Sequence, residues 1–435
     1  MNLKIKLLLL SFFCAVIVPL NAQTTQKVSL QQAIELGIKN SNNLKIADAK
    51  ITEATANVRE AKDRQLPDAS VSGSYLRLSS ANVNLKTLQG NGSSSPKVNQ
   101  AVYGIANISL PIYAGGRIKY GIESAKYLEQ AAILNAANDK EAISFNAVQA
   151  YTNLYKATRI VEVIKENLGA SIKRDTVFSR LEQNGVLARN DLLKAQLQTS
   201  NIELTLLDAE NNLNIARVNM SLMLGLPENT LLEIDSNFIN EKQELKPFIQ
   251  MENLALQNRK DVEAIEFQKK AAAVGVKVAK AQAYPTIALT GGYIAADIPK
   301  LISITNAVNI GVGVKYNIAS LWKNNTQLTQ ARVRETQLNA TEALLNDGIK
   351  LQVNKDYQNY LLAQKKIDVY EKSILQATEN FRITKNKYDN NLVTITDLLE
   401  ADVSLLQAKL NATVAKADAA LAYNKLLSTT GTLSK

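Results

Sequence analysis

The sequence predicts a mainly α fold with transmembrane β: long antiparallel helices joined to four membrane-length strands per chain. Three observations predict it. The first is duplication. Asp191-Leu192-Leu193 returns as Asp397-Leu398-Leu399, a register of 206 that also pairs Ala125 with Ala331, Tyr151 with Tyr357 and Gly225 with Gly431. A second register, of 218, pairs Leu36 with Leu254, Asn40 with Asn258, Ala61-Lys62 with Ala279-Lys280, Pro67 with Pro285, Gly73 with Gly291 and Tyr75 with Tyr293. One structural unit is therefore written twice, and the 12-residue difference falls in a loop between residues 76 and 124. The other two observations are a change of period from helical to two after Pro67 and Pro285, and long proline-free helical stretches after each return strand.

Residues 1–22 carry Lys4, Lys6, the apolar run LLLLSFFCAVIVPL and a small residue, Ala22, at the expected cut, the pattern of a secretory signal peptide. The mature chain is expected to begin near Gln23. Two repeats follow: residues 23–250, with a strand hairpin at about 67–114, and residues 251–435, with a hairpin at about 285–320.

Within the first repeat, Leu30, Ala33, Ile34 and Ile38 share a helical face behind Ser29 as N-cap. A second helix is expected from near Ser41 to Leu66, stopped by Pro67. The counterpart segment runs from Met251 to Tyr284 and ends at Pro285.

Beyond each proline Ala69, Val71, Gly73 and Tyr75 alternate with serines, and Ile287, Leu289, Gly291 and Tyr293 fall in the same register. The return strands alternate too, with Val308, Ile310, Val312 and Val314 opposite Asn309, Gly311, Gly313 and Lys315, echoed by Val102, Ala106, Ile108, Leu110 and Ile112. Strands of about ten residues suit a tilted crossing of a bilayer. Tyr75, Tyr103, Tyr113, Tyr293 and Tyr316, with Trp322 just past the last strand, are expected to face outward as an aromatic girdle at the lipid. A half-buried hairpin in a soluble domain would show the same alternation but has no use for the girdle.

Long helices are expected from Gly116 to about Gln183 and from Lys323 to Asp389, each roughly 100 Å at ~1.5 Å per residue. Asn184-Gly185 and Asn390-Asn391 permit the left-handed backbone that ends them. The chain returns through Asp191–Leu224 and Asp397–Leu427, where Leu399, Val403, Leu406 and Leu410, and Leu193, Leu197 and Leu204, keep coiled-coil spacing. Residues 225–247 break the helical period and read as an irregular connector.

Composition removes several function classes. Cys14 is the only cysteine and lies in the leader, and the chain has no histidine, so the usual zinc, triad and haem constellations lack their parts. No nucleophile is paired with a base and no cofactor is expected, so an enzyme is the least favoured class. The net charge of +10, or +8 without Lys4 and Lys6, is spread along helix faces, which argues against nucleic acid as a partner. After the leader no apolar run is long enough for a spanning helix, so strands must make any membrane contact.

Four membrane-length strands cannot close a barrel, and an open edge in lipid leaves backbone groups unsatisfied at several kcal/mol each. The working form is thus an oligomer, of two copies with eight strands or three with twelve. Ala412, Ala415, Ala419 and Ala422 form a small-residue face that permits close helix packing around a hollow tube.

The order of these features, with the junctions QLPDASVSGSY and AYPTIALTGGY, the SLPIYAGGR turn and NNLVTITDLLEADVSLLQAKLN before an Ala-rich helix, resembles the TolC-like outer-membrane efflux channels over essentially the whole mature chain. The resemblance implies a homotrimer whose 12-stranded outer-membrane β-barrel, four strands per chain, is continuous with a long antiparallel α-helical barrel in the periplasm. It implies a periplasmic adaptor (membrane fusion) protein and an inner-membrane transporter, of resistance-nodulation-division or ABC type, as partners. The function implied is passive export of small molecules in a tripartite efflux pump. The alternatives are the exit duct of a type I protein secretion system and a secreted coiled-coil scaffold.

The resemblance also points to a constriction at the periplasmic tip, with Asp397 and Glu400 at the positions of pore carboxylates and Tyr388 at that of a tyrosine in the closing network. Val393 stands where an arginine is often found, and Arg189 is the substitute available; Asp191 belongs to the same tip. An acid in the first helical turn is also stabilised by the helix dipole without serving a pore.

Overall fold

The computed structural model describes residues 25–82, 97–239, 244–299 and 301–433. The leader lies outside the described residues, as does most of the polar loop that holds the extra residues of the first repeat. Contacts divide the chain into two compact units that cut across the repeats: Met1–Leu44, Asp139–Arg259 and Ile349–Lys435 form one, Lys45–Asn138 and Lys260–Gly348 the other.

The first unit is mainly helical. Its principal helices are α1 (Leu30–Asn40), most of α3 (Arg117–Gln183), α4 (Arg189–Leu224), α5 (Phe248–Asn258), part of α7 (Ser320–Asp389) and α8 (Ile395–Thr429). Ser29 caps α1 as expected, in a reciprocal box with Gln32. α3 and α7 run unbroken for 67 and 70 residues, and each ends where the sequence permits positive φ, at Gly185 (+72°) and Asn391 (+59°). One core cluster joins Ala33, Tyr151, Leu154, Ile164, Ile202, Leu213, Met220 and Leu224, drawn from α1, α3 and α4.

The described start of the connector, residues 225–239, holds regular structure that its composition does not predict. β4 (Leu231–Ile234) pairs in parallel with β1 (Thr25–Val28), and a single 3-10 turn places Phe238 against Tyr151, ring centroids 5.3 Å apart and edge to face. The Tyr151 hydroxyl lies 2.9 Å from the carbonyls of both Val28 and Asp235, tying the two segments together. Strands of four residues are too short to announce themselves by alternation.

The second unit carries the sheet. Its helices α2 (Asn42–Asp63, from Lys45 onward) and α6 (Lys260–Ala281) lead into β2 (Asp68–Asn82) and β5 (Thr286–Ile298); β3 (Lys97–Tyr113) and β6 (Ile302–Lys315) return. α2 stops three residues before the predicted end, and a tight turn covers the steps to Pro67. The four strands form one antiparallel sheet in the order β2-β3-β5-β6. They span 13 to 17 residues rather than ten, because pairing continues past the apolar rows.

Candidate functional site

The tip of the first unit is built by two helical hairpins, α3 with α4 and α7 with α8. The duplicated Asp-Leu-Leu triplet has a packing reason: Leu192 and Leu398 are buried with Phe178, Ala195 and Ile395, and Phe381, Tyr388 and Leu399 pack around them. The aspartates of the two triplets do different work.

Asp397 closes a capping box. Its Oδ2 accepts from the Thr394 amide at 2.8 Å and from the Thr394 hydroxyl at 2.7 Å, while Thr394 Oγ1 accepts from the Asp397 amide at 3.3 Å. The Thr394 hydroxyl, and then its amide, hold the carboxyl below the usual carboxylate range. In the first repeat Ala188 stands at the cap and offers no side chain, so Asp191 has no such box and pairs with Lys194 at 3.2 Å. Asp397 and Glu400 are both exposed, about one helical turn apart.

Tyr388 packs on Phe178 with centroids 5.8 Å apart. Its phenol is pushed above the ordinary tyrosine range, by burial first and then by the charges of Asp191 and Asp389. Arg189 bonds to Glu182 at 3.3 Å within its own hairpin, so in this conformation it holds the α3–α4 turn.

One feature of this end was not read from the sequence. Asp402, a charge on the buried stripe of α8, accepts from Arg174 at 2.7 Å, and Arg174 donates also to Ser171 at 3.1 Å. Both partners are largely buried, and the pair links the first repeat to the second. The available signal was the acid between Leu398, Ala401 and Leu405 on an otherwise apolar stripe.

In the second unit, register sorts the sheet residues into faces, because paired residues lie on one side. One apolar row is Val71, Ala106, Tyr293, Val308; the next are Ala69, Ile108, Gly291, Ile310 and then Leu110, Leu289, Val312. Tyr75 shares this face through Val102. Ile112 is a bulge, two residues of β3 against one of β5, and it turns Tyr113 onto the same face beside Ile287 and Val314.

Tyr103 is the exception and corrects the girdle. It pairs with Ser74 and Ala296 and so lies on the opposite face, with Ser72, Asn107 and Thr290. Tyr293 shares the apolar face, but its hydroxyl is engaged: it accepts from the Asn306 amide at 3.2 Å at a second bulge, where Asn306 has φ +59°. Tyr316 follows the last residue of β6 and Trp322 sits in the first turn of α7, both exposed.

The coiled-coil residues also behave differently in the two repeats. Leu399 and Leu410 of α8 pack into the core clusters. Their counterparts Leu193 and Leu204 on α4 are 50% and 61% exposed.

A four-stranded antiparallel sheet of two hairpins with one apolar side, in a chain that also carries two long helical hairpins, is the make-up of an outer-membrane protein. The sequence matches the profile of the outer membrane efflux protein family over residues 33–226 and 252–432, and the chain belongs to that family. It is 23% identical over 397 residues to Nodulation protein T of Rhizobium leguminosarum bv. trifolii, covering 86% of this chain and 79% of that one. It is 21% identical over 420 residues to the outer membrane efflux protein BepC of Brucella suis, covering 95% and 88%. The fold is similar to that of the outer membrane protein VceC from Vibrio cholerae, with a TM-score of 0.74 at 18% identity over 92% of this chain and 96% of the other. The chain is thus an outer-membrane efflux protein.

Proposed function

We propose that three copies close a barrel and a helical tunnel through which small molecules leave passively, as the outer-membrane component of a tripartite pump. The observation that carries this reading is the four-stranded sheet with one apolar face and two outer strands that each have a single partner among the described residues. Lipid does not tolerate such edges, so they must pair with other copies. Along β5 the apolar face runs from Ile287 to the row of Tyr75 at Asp297, roughly 34 Å of strand at ~3.4 Å per residue and about 26 Å of height at ~40° tilt. Tyr75 at one end and Tyr113, Tyr316 and Trp322 at the other then sit at the two interfaces of a bilayer core.

A periplasmic adaptor and an inner-membrane transporter supply cargo and energy. Asp397 and Glu400 ring the constriction at the tip, attracting cations and hindering anions. Tyr388 and Asp191 form the packed side of that tip. The channel is tested in planar bilayers, where it is expected to pass small, cation-preferring currents. Glu400→Gln should weaken the preference without loosening the helix, whereas Asp397→Ala also removes a cap. A protein that stays soluble after membrane fractionation without detergent would remove the whole reading in favour of a scaffold.

A further inference from the structure

Inside one chain the first repeat meets the second within each unit. In the second unit, β3 pairs with β5 through Asn107 with Gly292, Ile108 with Gly291 and Ser109 with Thr290. In the first unit, α3 meets α8 through three ion pairs, Lys156 with Asp418 at 2.9 Å, Glu166 with Lys409 at 3.4 Å and Arg174 with Asp402 at 2.7 Å. The reverse junction, β6 to β2 and α7 to α4, is not made among the described residues. β6 and β2 keep open edges, and Leu193, Leu197 and Leu204 of α4 stand exposed where Leu399 and Leu410 of α8 are packed.

We propose that the internal junction is the template for the seam between copies, and that it fixes the seam residue by residue. This rests on the oligomeric reading above. The repeat registers convert β3 to β6 and α3 to α7 by adding 206, β5 to β2 by subtracting 218, and α8 to α4 by subtracting 206. Ile108 with Gly291 becomes Val314 with Gly73 of the partner subunit. Ser109 with Thr290 becomes Lys315 with Ser72 of the partner subunit.

The substitutions between repeats agree with this pairing. A Cβ on Gly291 would come within 3.1 Å of Ile108 Cγ2, so a branched side chain lies over a glycine inside the chain, and Val314 over Gly73 repeats that fit. A Cβ on Gly73 would meet only the Tyr103 carbonyl, at 3.8 Å, which leaves its outer side free for Val314. Asn107 with Gly292, where an added Cβ would meet the Ala106 carbonyl at 2.9 Å, becomes Gly313 with Ser74 of the partner subunit. The glycine has changed strand and the pair has kept one. Faces are preserved as well: Lys315 and Ser72 both lie on the polar side, and a slip of one residue would reverse every side chain.

The helical half carries a matching sign. Lys409 converts to Glu203 and Glu166 to Lys372, so the ion pair returns with its charges exchanged. Glu203 and Lys372 are both exposed in the single chain. Arg174 with Asp402 converts to Asn380 with Gln196, and Lys156 with Asp418 converts to Leu362 with Asn212, so one of the three ion pairs returns and the other two become uncharged on both sides, leaving no lone charge at the seam.

The mature chain offers a cysteine-free background, since Cys14 lies in the leader. Lys315→Cys is combined in turn with Ser70→Cys, Ser72→Cys and Ser74→Cys, and membranes are oxidised and run on non-reducing gels. Within one chain β6 and β2 lie three strand spacings apart, about 14 Å, out of reach of a disulfide, so every cross-link joins two copies. The Ser72→Cys variant should cross-link at least about fivefold faster than the other two, whose diagonal positions are ~7–8 Å away. Fastest cross-linking at residue 70 or 74 in a protein that is oligomeric in detergent overturns the register alone. A monomer with no cross-link at any position overturns the oligomer too. A second arm uses Glu203→Lys and Lys372→Glu: each alone should lower the fraction of oligomer surviving heating in detergent, and the double exchange should restore it. Failure of that rescue overturns the helical half.

Discussion

A Cβ placed on Gly225 would lie 2.8 Å from Cβ of Asn40, and Gly225 holds φ at +70°. The contact lets the end of α4 close on the end of α1, where Asn40 Nδ2 donates to the Leu224 carbonyl at 2.5 Å. The second repeat rebuilds it: Gly431, at φ +67°, stands against Asn258, with its nearest contact 3.2 Å away on backbone. Two constraints therefore act on each glycine, a left-handed backbone and a filled space.

Gly225→Ala meets both and is expected to cost about 2–4 kcal/mol, from ~1–2 for the backbone plus overlap with Asn40. Gly431→Ala meets a slightly looser neighbour and should cost about 1–3 kcal/mol. Thermal melts followed by circular dichroism should rank the two in that order. Equal or negligible losses would mean that neither turn is tight.

These glycines and asparagines are legible in the sequence because both repeats carry them. Ser29 as a cap and the breaks at Gly185 and Asn391 were legible for a different reason, since each depends on local backbone chemistry alone. The face of Tyr113 was not. Tyr103 has the opposite parity to Val102, Ala106 and Ile108, so alternation alone already set it on the polar side; Tyr113 shares the parity of Tyr103, and only the bulge at Ile112 turns it onto the apolar face. The Arg174–Asp402 pair was hidden for a third reason: spacing along one helix does not say which other helix it meets. At the tip, the position of Asp397 was visible, but its capping bond depends on Thr394, which Ala188 replaces in the other repeat.

Removing Arg174 leaves a carboxylate largely buried without its cation. Arg174→Met should therefore destabilise the helical unit by about 3–5 kcal/mol, whereas Arg174→Met with Asp402→Leu should recover most of the loss. Chemical denaturation of the single and double variants decides it. A double variant as weak as the single would show that packing around Arg174, rather than charge, is what matters.

Tyr388 gives a prediction in pH. Its folded pKa lies above the ordinary value of 10.0, so on raising the pH the unfolded chain releases this proton first. Its contribution to stability is full below pH 10 and is lost as the pH climbs through the raised folded pKa. Asp191→Asn removes the second cause of the shift and leaves burial, the first, in place. The difference in phenolate absorbance between each protein and its Tyr388→Phe form should show the titration moving part of the way back. No movement would mean that Asp191 does not act on the phenol.

The sheet yields the sharpest contrast, between two neighbours on β6. Ile310 is 82% exposed in the single chain and lies in the middle apolar row with Gly291, while Asn309 points to the polar side. If the apolar face meets lipid, a charge at Ile310 sits near the bilayer midplane, where Lys costs about 2–4 kcal/mol, and Ile310→Lys should sharply reduce the folded, heat-modifiable fraction recovered from outer membranes. Asn309→Lys places the same charge one residue away on the opposite, polar face, which already carries Lys315, and should insert as the parent does. The comparison cancels general effects of an added lysine on expression or export. Equal behaviour of the two variants would show that the sheet has no lipid face, and the strands would then have to be soluble hairpins.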